Sequence, residues 1–420
     1  MGTPSLARLH TLEDPAVPGL GELLRDGGNL WRAAGHDFEG DAPPVQVRWQ
    51  PGRSMVVRYE TRPSDDAPAS AFVAQAGGRM PEGVAVLRSE LGEVGVWPVT
   101  SDPGLPGLGV ALDPQAVREM LAPLGVPRGP VALRLRAYRP GRRAVVEATM
   151  GGHRFFVKVL RPSRIEALQL RHRALEGILP VPASHGWSSD LGLVVLEARR
   201  GATLREALVR GEAIPHPREI RDLLTHLPNL EDGRTAASQA ASGVAHIDLV
   251  RRLAPEATRA LEGYDVASAM GASTQAVTVH GDLHESQLLV EDGRLVAMLD
   301  VDTAGLGDPR DDWATFLGHL HVRALDATGD ERRRTAAYAL QVAGVLLEQA
   351  ETDRERAQVE ARVAAVILGL ATGPFAVMAP DWAELTDRRV DLAVRWLRGE
   401  GLVFLDDLAR DGAAAGAEGR

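Results

Sequence analysis

The stretch Val279-His280-Gly281-Asp282-Leu283-His284-Glu285-Ser286-Gln287-Leu288-Leu289-Val290 decides how this chain is read. It runs on through Glu291-Asp292-Gly293-Arg294 into Leu295-Val296-Ala297-Met298-Leu299-Asp300. The pattern predicts a loop, a short strand, a turn at Asp292-Gly293 and a second strand that ends on a carboxylate. Charged groups at strand ends face a cleft in many folds, so such a hairpin brings Asp282, Gln287 and Asp300 to one mouth. Phosphoryl transfer needs a set of this kind. One carboxylate orients a hydroxyl and takes its proton, while oxygen ligands hold Mg2+ on the phosphates.

The next segment, Asp300-Val301-Asp302-Thr303-Ala304-Gly305-Leu306-Gly307-Asp308-Pro309-Arg310-Asp311-Asp312-Trp313-Ala314, places five carboxylates within thirteen residues. A solvated acidic run lacks the interleaved Leu306, Pro309 and Trp313, which read as core residues. Asp308 and Asp312 lie four apart where Trp313 to Leu317 begins, and a carboxylate in a first helical turn meets unpaired amides. Asp308 is expected to be structural, capping that helix or bonding to the loop at 280–287. Asp300 is the better metal ligand.

Lys158 is the only lysine: the other 46 of the 47 basic side chains are arginines. It sits in Arg154-Phe155-Phe156-Val157-Lys158-Val159-Leu160, which alternates like a strand. An ammonium is a compact point charge that enters a narrow phosphate site, whereas guanidinium is a wide planar fork.

These motifs resemble those of the aminoglycoside phosphotransferase and choline kinase group, small-molecule kinases with a protein-kinase-like fold. The resemblance rests on His280-Gly281-Asp282 with the amide Gln287 five positions past the aspartate, then Asp300, then Gly307-Asp308-Pro309 with Asp312. It implies that Asp282 is the catalytic base, that Gln287 and Asp300 bind Mg2+, and that Lys158 contacts the phosphates of ATP. The amide is more usually Asn, and Gln287 adds a methylene. In this it is similar to maltokinase-like and glucosamine-kinase-like branches. Asn29 and Asn229 are the only asparagines in the chain, and neither lies in a motif that could substitute.

The implied fold class is α+β: a bilobal arrangement with a small β-rich ATP lobe, a large helical C-terminal lobe and an extra N-terminal α+β module. The expected divisions are 1–125, 126–200 and 201–420. Strands are expected at Val131 to Tyr138, Ala144 to Thr149 and Arg154 to Leu160, with a turn at Arg139-Pro140-Gly141-Arg142. Arg142 belongs to that turn, under which a nucleotide would lie, although a single glycine makes a poor backbone cradle. A helix from Arg164 to Glu176 should supply Glu166 as the partner of Lys158. Leu193 to Glu197 reads as a buried strand leading into the hinge, where backbone groups near Glu197 would meet the adenine edge.

His280 is expected to bond to backbone rather than exchange protons. His284 and Glu285 follow the base closely and could face the acceptor, and Asp302 lies in the same region. Farther on, Thr203 is a plausible helix cap, Gln239 to Leu249 one helix, and Arg332 to Glu351, Arg354 to Leu368 and Arg388 to Arg398 packed helices. The last residues, Asp411 to Arg420, read as a loose tail.

The N-terminal region contains an echo. Val45 to Glu60 and Leu133 to Ala148 each hold an alternating strand, a Pro-Gly-Arg turn and a second strand, about 89 positions apart. The first copy lacks a lysine strand. Either it is a degenerate relative of the ATP lobe or two hairpins coincide, since Pro-Gly turns are common. Trp49 and Tyr59 suggest a further idea, saccharide binding by this module.

Composition narrows the partners. Without cysteine there are no disulfides or thiolate metal sites. A formal charge of −10 argues against a general nucleic-acid binder. No run of about 18 uninterrupted apolar residues and no apolar core in Met1 to His10 point to a cytoplasmic protein without a membrane span. The expected partner is a small-molecule hydroxyl acceptor, a sugar or amino sugar. Alternatives are an aminoglycoside or choline-like amino alcohol, or a catalytically weak nucleotide-binding regulator.

Overall fold

Alternating apolar residues on either side of two Pro-Gly-Arg turns build two five-stranded antiparallel sheets. In this computed structural model, which describes residues 3–63, 70–89, 92–127, 129–230, 234–273, 276–348 and 350–410, the first sheet holds β1 (Pro44–Gln50), β2 (Ser54–Glu60), β3 (Ala71–Gly77), β4 (Ala85–Ser89) and β5 (Gly92–Pro98). The second holds β6 (Ala132–Arg139), β7 (Arg143–Met150), β8 (His153–Leu160), β9 (Ser184–Ser188) and β10 (Leu193–Glu197). The spatial orders are β1-β2-β3-β5-β4 and β6-β7-β8-β10-β9, so the two sheets share one topology. The tail expected at Asp411 to Arg420 lies outside the described residues.

The sequence echo is therefore an architectural repeat, and it extends further than the strands. Asp14-Pro15-Ala16-Val17-Pro18-Gly19-Leu20-Gly21 precedes the first sheet and Asp102-Pro103-Gly104-Leu105-Pro106-Gly107-Leu108-Gly109 the second. In each, the aspartate carboxylate clamps the turn that follows. Asp14 Oδ2 accepts from Trp49 Nε1 at 2.8 Å and from Gly52 N at 2.9 Å. Asp102 Oδ2 accepts from Tyr138 Oη at 2.6 Å and from Gly141 N at 2.7 Å. The aromatic donor stands three residues before the turn glycine in both copies. The other carboxylate oxygen accepts from the amide two residues on, Ala16 at 3.0 Å and Gly104 at 2.8 Å.

The segments after each aspartate supply the apolar cover of one sheet face. Leu105, Leu108, Ala111, Val117 and Leu121 are buried with Ala144, Val146, Val157 and Val159 of the second sheet. Val56, Val73 and Trp97 from the inner face of the first sheet join that cluster. Trp49 is 4 % exposed and Tyr59 fully buried, with Tyr59 Oη donating to Leu23 O at 2.6 Å. This overturns the saccharide idea: a sugar needs exposed aromatic faces, and both rings are spent on the fold.

Two compact units result. One comprises Met1–Leu170, Ala183–Ala198 and Pro374–Trp382, and the other Arg171–Pro182, Arg199–Gly373 and Ala383–Arg420. The chain passes from the first to the second after Ala198, one residue beyond β10. The first unit also holds most of α1 (Pro162–Leu175), whose proline occupies a first-turn position where no amide partner is lost.

The second unit is helical around a small hairpin core. β11 (Val277–Val279) pairs with β14 (Gly305–Gly307), while β12 (Leu288–Glu291) pairs with β13 (Arg294–Met298) across the expected Asp292-Gly293 turn. Both turn residues have positive φ, 50° and 76°, as a two-residue hairpin requires. Around these strands pack α2 (Pro309–Asp326), α3 (Gly329–Leu347) and α4 (Asp353–Ala371). Leu204–Arg210 starts on a capping box between Thr203 and Glu206. The helix expected from Gln239 to Leu249 is two helices, Gln239–Ala245 and Ile247–Leu253. They break at His246, whose amide bonds to both Ser242 O and Gly243 O and so tightens the turn. One stretch, Asp353–Ala376, is long and apolar enough to cross a membrane, and 67 % of its most apolar window is buried inside the protein.

Candidate active site

In the helical unit the geometry starts from Asp312. This residue lies in the first turn of α2, and its two carboxylate oxygens accept from the successive amides of His280 at 2.7 Å and Gly281 at 2.8 Å. Burial pushes its carboxyl up, while His280 and the two amide bonds oppose that push. The loop before Asp282 is thereby fixed to a rigid helix. Gly281 has φ 81°, and a Cβ there would stand 2.6 Å from Thr303 O, so only glycine fits.

His280 is fully buried and holds the same loop from the other side. Its Nε2 lies 2.8 Å from Leu299 O, which can only accept, so Nε2 carries the proton and Nδ1 takes the Asp282 amide at 3.3 Å. The ring ties the loop to the end of β13 and leaves no nitrogen for proton exchange. Asp308 caps α2 through Arg310 N at 3.0 Å and is ion-paired with Arg310 at 2.6 Å and Arg362 at 3.3 Å. Burial acts to raise its carboxyl, but the bonds from Arg310 and the charge of Arg362 hold it below the usual range. The bond to the loop at 280–287 comes from Asp312 and not from Asp308.

Gln287 and Asp300 come together. Leu299 N donates to Gln287 O at 2.7 Å, and the Gln287 amide lies 3.4 Å from Asp300 Oδ2 and 3.0 Å from His284 Nε2. His284 Nδ1 accepts from Ser286 N at 3.3 Å, which leaves the ring proton on Nε2. That proton calls for the amide oxygen at the shared position, since amide nitrogen and oxygen exchange by a half-turn of the terminal torsion. An oxygen there lies 3.4 Å from Asp300 Oδ2, so the two can be neighbouring ligands of one cation. Octahedral Mg2+ with oxygens at about 2.1 Å sets neighbouring ligands about 3.0 Å apart, so this pair fits it. Asp300 itself has φ 55°, a left-handed backbone unusual for a non-glycine residue and typical of strained functional positions. Asp302 is half-buried, and its carbonyl accepts from Arg171 Nη1 at 2.9 Å.

Beside the half-buried Asp282, the ring of His284 stacks on that of His319 with centroids 4.5 Å apart and planes at 8°. Burial lowers both to about 4, so both are neutral at pH 7. Glu285 is 4 % exposed, and its Oε2 has no hydrogen-bond partner. It lines a cavity of about 480 Å³ together with Arg205, His319, Arg323, Glu331 and Arg389. The sequence missed His319 as part of a site, because its spacing with Phe316 and Leu320 reads as a core face. The cavity arginines lie far apart along the chain and carry no local signal.

In the β-rich unit, Lys158 is 6 % exposed on β8, opposite Val145 of β7 and Val194 of β10. Cross-strand partners share a face. That face is continued by Phe156 and Leu160, packed with Ile165, Leu168 and Leu196. Glu166 of α1 is exposed and makes no hydrogen bond or ion pair among the described residues. The helix buries Ile165, Leu168 and Gln169 instead, and Gln169 Oε1 accepts from Ser184 Oγ at 2.7 Å. Glu166 is one position off that buried stripe, so the expected pairing with Lys158 is not made here. Arg142 is exposed in its turn. Glu197 is exposed at the end of β10, where its amide donates to Ala183 O at 2.9 Å.

Comparison with known proteins agrees with this chemistry. The profile of the phosphotransferase enzyme family matches residues 145–357, half of the chain. No curated protein matches the sequence. Among solved structures, macrolide 2'-phosphotransferase type I is 16 % identical with a TM-score of 0.44, covering 66 % of this chain and 96 % of that one. A thermostable mutant of aminoglycoside phosphotransferase APH(4)-Ia is 16 % identical with a TM-score of 0.46, covering 67 % and 98 %. Macrolide 2'-phosphotransferase MphH from Brachybacterium faecium is 18 % identical with a TM-score of 0.36, covering 66 % and 98 %. Because that profile spans half of the chain, from the lysine-bearing sheet into the helical unit, this chain belongs to the phosphotransferase enzyme family, α+β enzymes of protein-kinase-like fold that transfer a phosphoryl group to an alcohol.

Proposed function

We propose that the protein is an ATP- and Mg2+-dependent kinase that transfers the γ-phosphoryl group to a hydroxyl of an amino sugar. The observation that carries the acceptor class is Glu285: a buried carboxylate oxygen without a hydrogen-bond partner, on the wall of a cavity whose other carboxylates, Asp326 and Glu331, are ion-paired with Arg389 and Arg323. An ammonium on the acceptor satisfies that oxygen, and the remaining polar wall suits hydroxyls. A buried carboxylate left without a partner carries a desolvation cost, which a cationic group relieves. An acceptor with several ammonium groups, such as an aminoglycoside, suits the cavity less well, because Asp326 and Glu331 are already paired with Arg389 and Arg323 and leave Glu285 as the carboxylate open to an ammonium.

Asp282 orients the acceptor hydroxyl and takes its proton, from a loop held by Asp312 and His280. Lys158 positions the phosphates as a point charge. Gln287 and Asp300 would hold Mg2+, which neutralises charge on the phosphates. The stacked, neutral His284 and His319 exclude water beside Asp282 and leave its charge unopposed. We place the enzyme in the cytoplasm, where its nucleotide is found.

The test is an ADP-release screen of glucose, glucosamine, aminoglycosides and choline with the parent protein, Asp282→Asn and Glu285→Gln. Glucosamine should turn over, Asp282→Asn should lose roughly 10²- to 10⁴-fold in kcat, and Glu285→Gln should raise KM for glucosamine about tenfold or more. Glucose and glucosamine used equally well by the parent would remove the role of Glu285. ATP binding without turnover on any acceptor would favour a nucleotide-binding regulator.

A further inference from the structure

The repeat assigns a counterpart to every residue of the lysine-bearing face. Gly52 and Gly141 are equivalent turn glycines, and four residues beyond them stand Val56 and Val145. Val145 pairs with Lys158, and Val56 pairs with Gln75. Gln75 thus occupies the place of the lysine in the first sheet. By the same register Phe156 pairs with Leu196, and Val73 with Trp97. The face of the first sheet that would be its nucleotide face therefore carries Val56, Val73, Gln75 and Trp97.

That face is largely packed, with Val73 fully buried and Val56 and Trp97 each 3 % exposed, yet it leaves a gap at Gln75. Val56, Gln75 and Trp97 line a cavity of about 440 Å³, closed on its other side by the Asp102–Gly104 segment and by Pro140 and Gly141 of the second repeat. Its charged walls are Arg48, Arg79, Arg161, Glu82 and Asp102. The two carboxylates are occupied, Glu82 by Arg79 at 3.2 Å and Asp102 by its three clamp bonds. Arg161 donates from Nε to Gly141 O at 2.6 Å, which leaves its terminal nitrogens available. The Arg48 guanidinium is half-buried and makes no hydrogen bond or ion pair among the described residues. Burial, and after it the positive charges of Arg142, Arg161 and Arg53, disfavour its protonated form. Asp102 is the one carboxylate whose charge acts on Arg48, against the positive charges of Arg142, Arg161 and Arg53, and guanidinium groups in excess over carboxylates call for an anion.

We propose that this cavity, the first repeat's counterpart of the nucleotide face, binds a small phosphomonoester, with its phosphate on Arg48 and Arg161 and its organic part against the half-buried Met80 and Pro81 beside the edges of Val56 and Trp97. A phosphate dianion matches several converging guanidinium groups better than one carboxylate does, and guanidinium recognises it through paired donors. The apolar wall distinguishes the site from one for a bare ion, and the volume lies within the range of small-molecule pockets. The site stands apart from the lysine-bearing face, because Val157 and Val159, on the opposite side of β8 from Lys158, pack in the same core cluster as Val56 and Trp97. Through Arg161 it touches the turn above the second sheet. It does not depend on which acceptor the enzyme uses.

The experiment is calorimetric titration of the full chain with inorganic phosphate, glucose 6-phosphate and AMP, with the catalytic nucleotide site saturated by Mg2+ and a non-hydrolysable ATP analogue. At least one ester should bind with the analogue present. Arg48→Gln should weaken that binding tenfold or more, and Lys158→Gln should leave it unchanged. Arg161→Gln is the second variant, decisive if Arg48→Gln lowers the melting temperature of the unliganded protein. Inorganic phosphate binding as tightly as the esters would support the arginines and overturn the apolar subsite. Binding lost on adding the analogue, binding unaffected in both arginine variants, or no binding of any probe at millimolar concentration would overturn the proposal.

Discussion

The two sheets are built alike and equipped differently. Each has the strand order 1-2-3-5-4, an aspartate that clamps a Pro-Gly-Arg turn, and a preceding apolar segment that covers one face. After the third strand the paths part. In the first repeat Gly77 and Gly78, with φ of 71° and 67°, turn the chain straight toward β4. Gln75 helps close this turn by donating to Gly77 O at 3.2 Å and Arg79 O at 3.0 Å. In the second repeat the chain enters α1 instead, and the side chain at the matching position is the lone lysine. The difference separates scaffold from the proposed chemistry: the clamp and the sheet are needed wherever the turn must hold its shape, whereas the ammonium appears only on the face to which the proposed function assigns the phosphates.

The most severe way to erase this difference is Lys158→Gln, which gives the second sheet the side chain of the first. Turnover should fall roughly 10²- to 10³-fold, the usual loss when one group that stabilises charge at the reacting centre is removed. Gln75→Lys in the same protein should restore nothing, because that cavity lacks a counterpart of Asp282. ADP release with the acceptor found in the screen measures both. Recovery in the double variant would mean that the two faces are interchangeable, against the division drawn here.

The clamps test the same division one level down. Asp14 and Asp102 are 5 % and 2 % exposed, and each accepts at least three hydrogen bonds. Asp14→Ala and Asp102→Ala should each cost about 3 kcal/mol, since bonds to a charged, buried acceptor are individually worth about 1.5–3 kcal/mol and part is recovered by relaxation. Urea unfolding reads that loss. Only Asp102→Ala should also raise KM for ATP, by about tenfold, because only its turn belongs to the lysine-bearing sheet. A matching KM shift in Asp14→Ala would show that the first turn takes part in nucleotide binding.

How much of this was legible in the sequence depended on whether the signal was local. The strands of the second sheet, the Asp292-Gly293 turn and the meeting of Gln287 with Asp300 follow from alternation, turn residues and motif spacing, all within a few positions. The echo at Val45 and Leu133 was visible, yet only the shared strand order decided between a repeat and a coincidence. The Asp-Pro segments at Asp14 and Asp102 escaped notice because a clamp works across 38 or 39 positions. Glu166 shows the opposite limit. Helical spacing allowed it to face the lysine, but tertiary packing chose Ile165 and Leu168 for that face and turned Glu166 outward. His319 followed the same logic in reverse, as a residue on an apolar helix face that borders a polar cavity.

Acid should separate the two units. His284, His319 and His321 are all in the helical unit, and burial lowers them to about 4, 4 and 3. An unfolded histidine titrates near about 6.5. Below that pH the unfolded chain binds protons that the folded chain refuses, so the stabilisation is complete above pH 6.5 and is lost as pH falls toward 4. Each residue contributes about 1.4 kcal/mol per pH unit in that window, on the order of 2 kcal/mol by pH 5. Hydrogen exchange at pH 7 and pH 5 should therefore show the helical unit opening first while the paired sheets stay protected. His321→Asn keeps an acceptor for Trp396 Nε1, now 3.0 Å from His321 Nδ1, and should flatten the pH dependence by one proton. Equal loosening of both units would count against burial of these rings as the cause.

The smallest difference between the repeats is one methyl group. Two residues after the clamp aspartate, the first repeat has Ala16 and the second Gly104. A Cβ on Gly104 would stand 2.9 Å from Gly141 Cα and 3.0 Å from Gly141 O, whereas Ala16, at the same place in the first repeat, carries a Cβ. The second turn thus leaves no room for the methyl group that the first accommodates. Gly104→Ala should push the Gly141 turn outward by a few tenths of an ångström, cost about 1 kcal/mol as a mild overpacking, and raise KM for ATP two- to threefold. Ala16→Gly should cost a similar or smaller amount, about 0.4–1 kcal/mol, through the unfolded chain alone, and leave KM where it is. Because the two changes are alike in size and in their effect on stability, a KM shift confined to Gly104→Ala isolates contact with the turn as the variable. A KM unchanged by Gly104→Ala would mean that the position of this turn does not limit nucleotide binding.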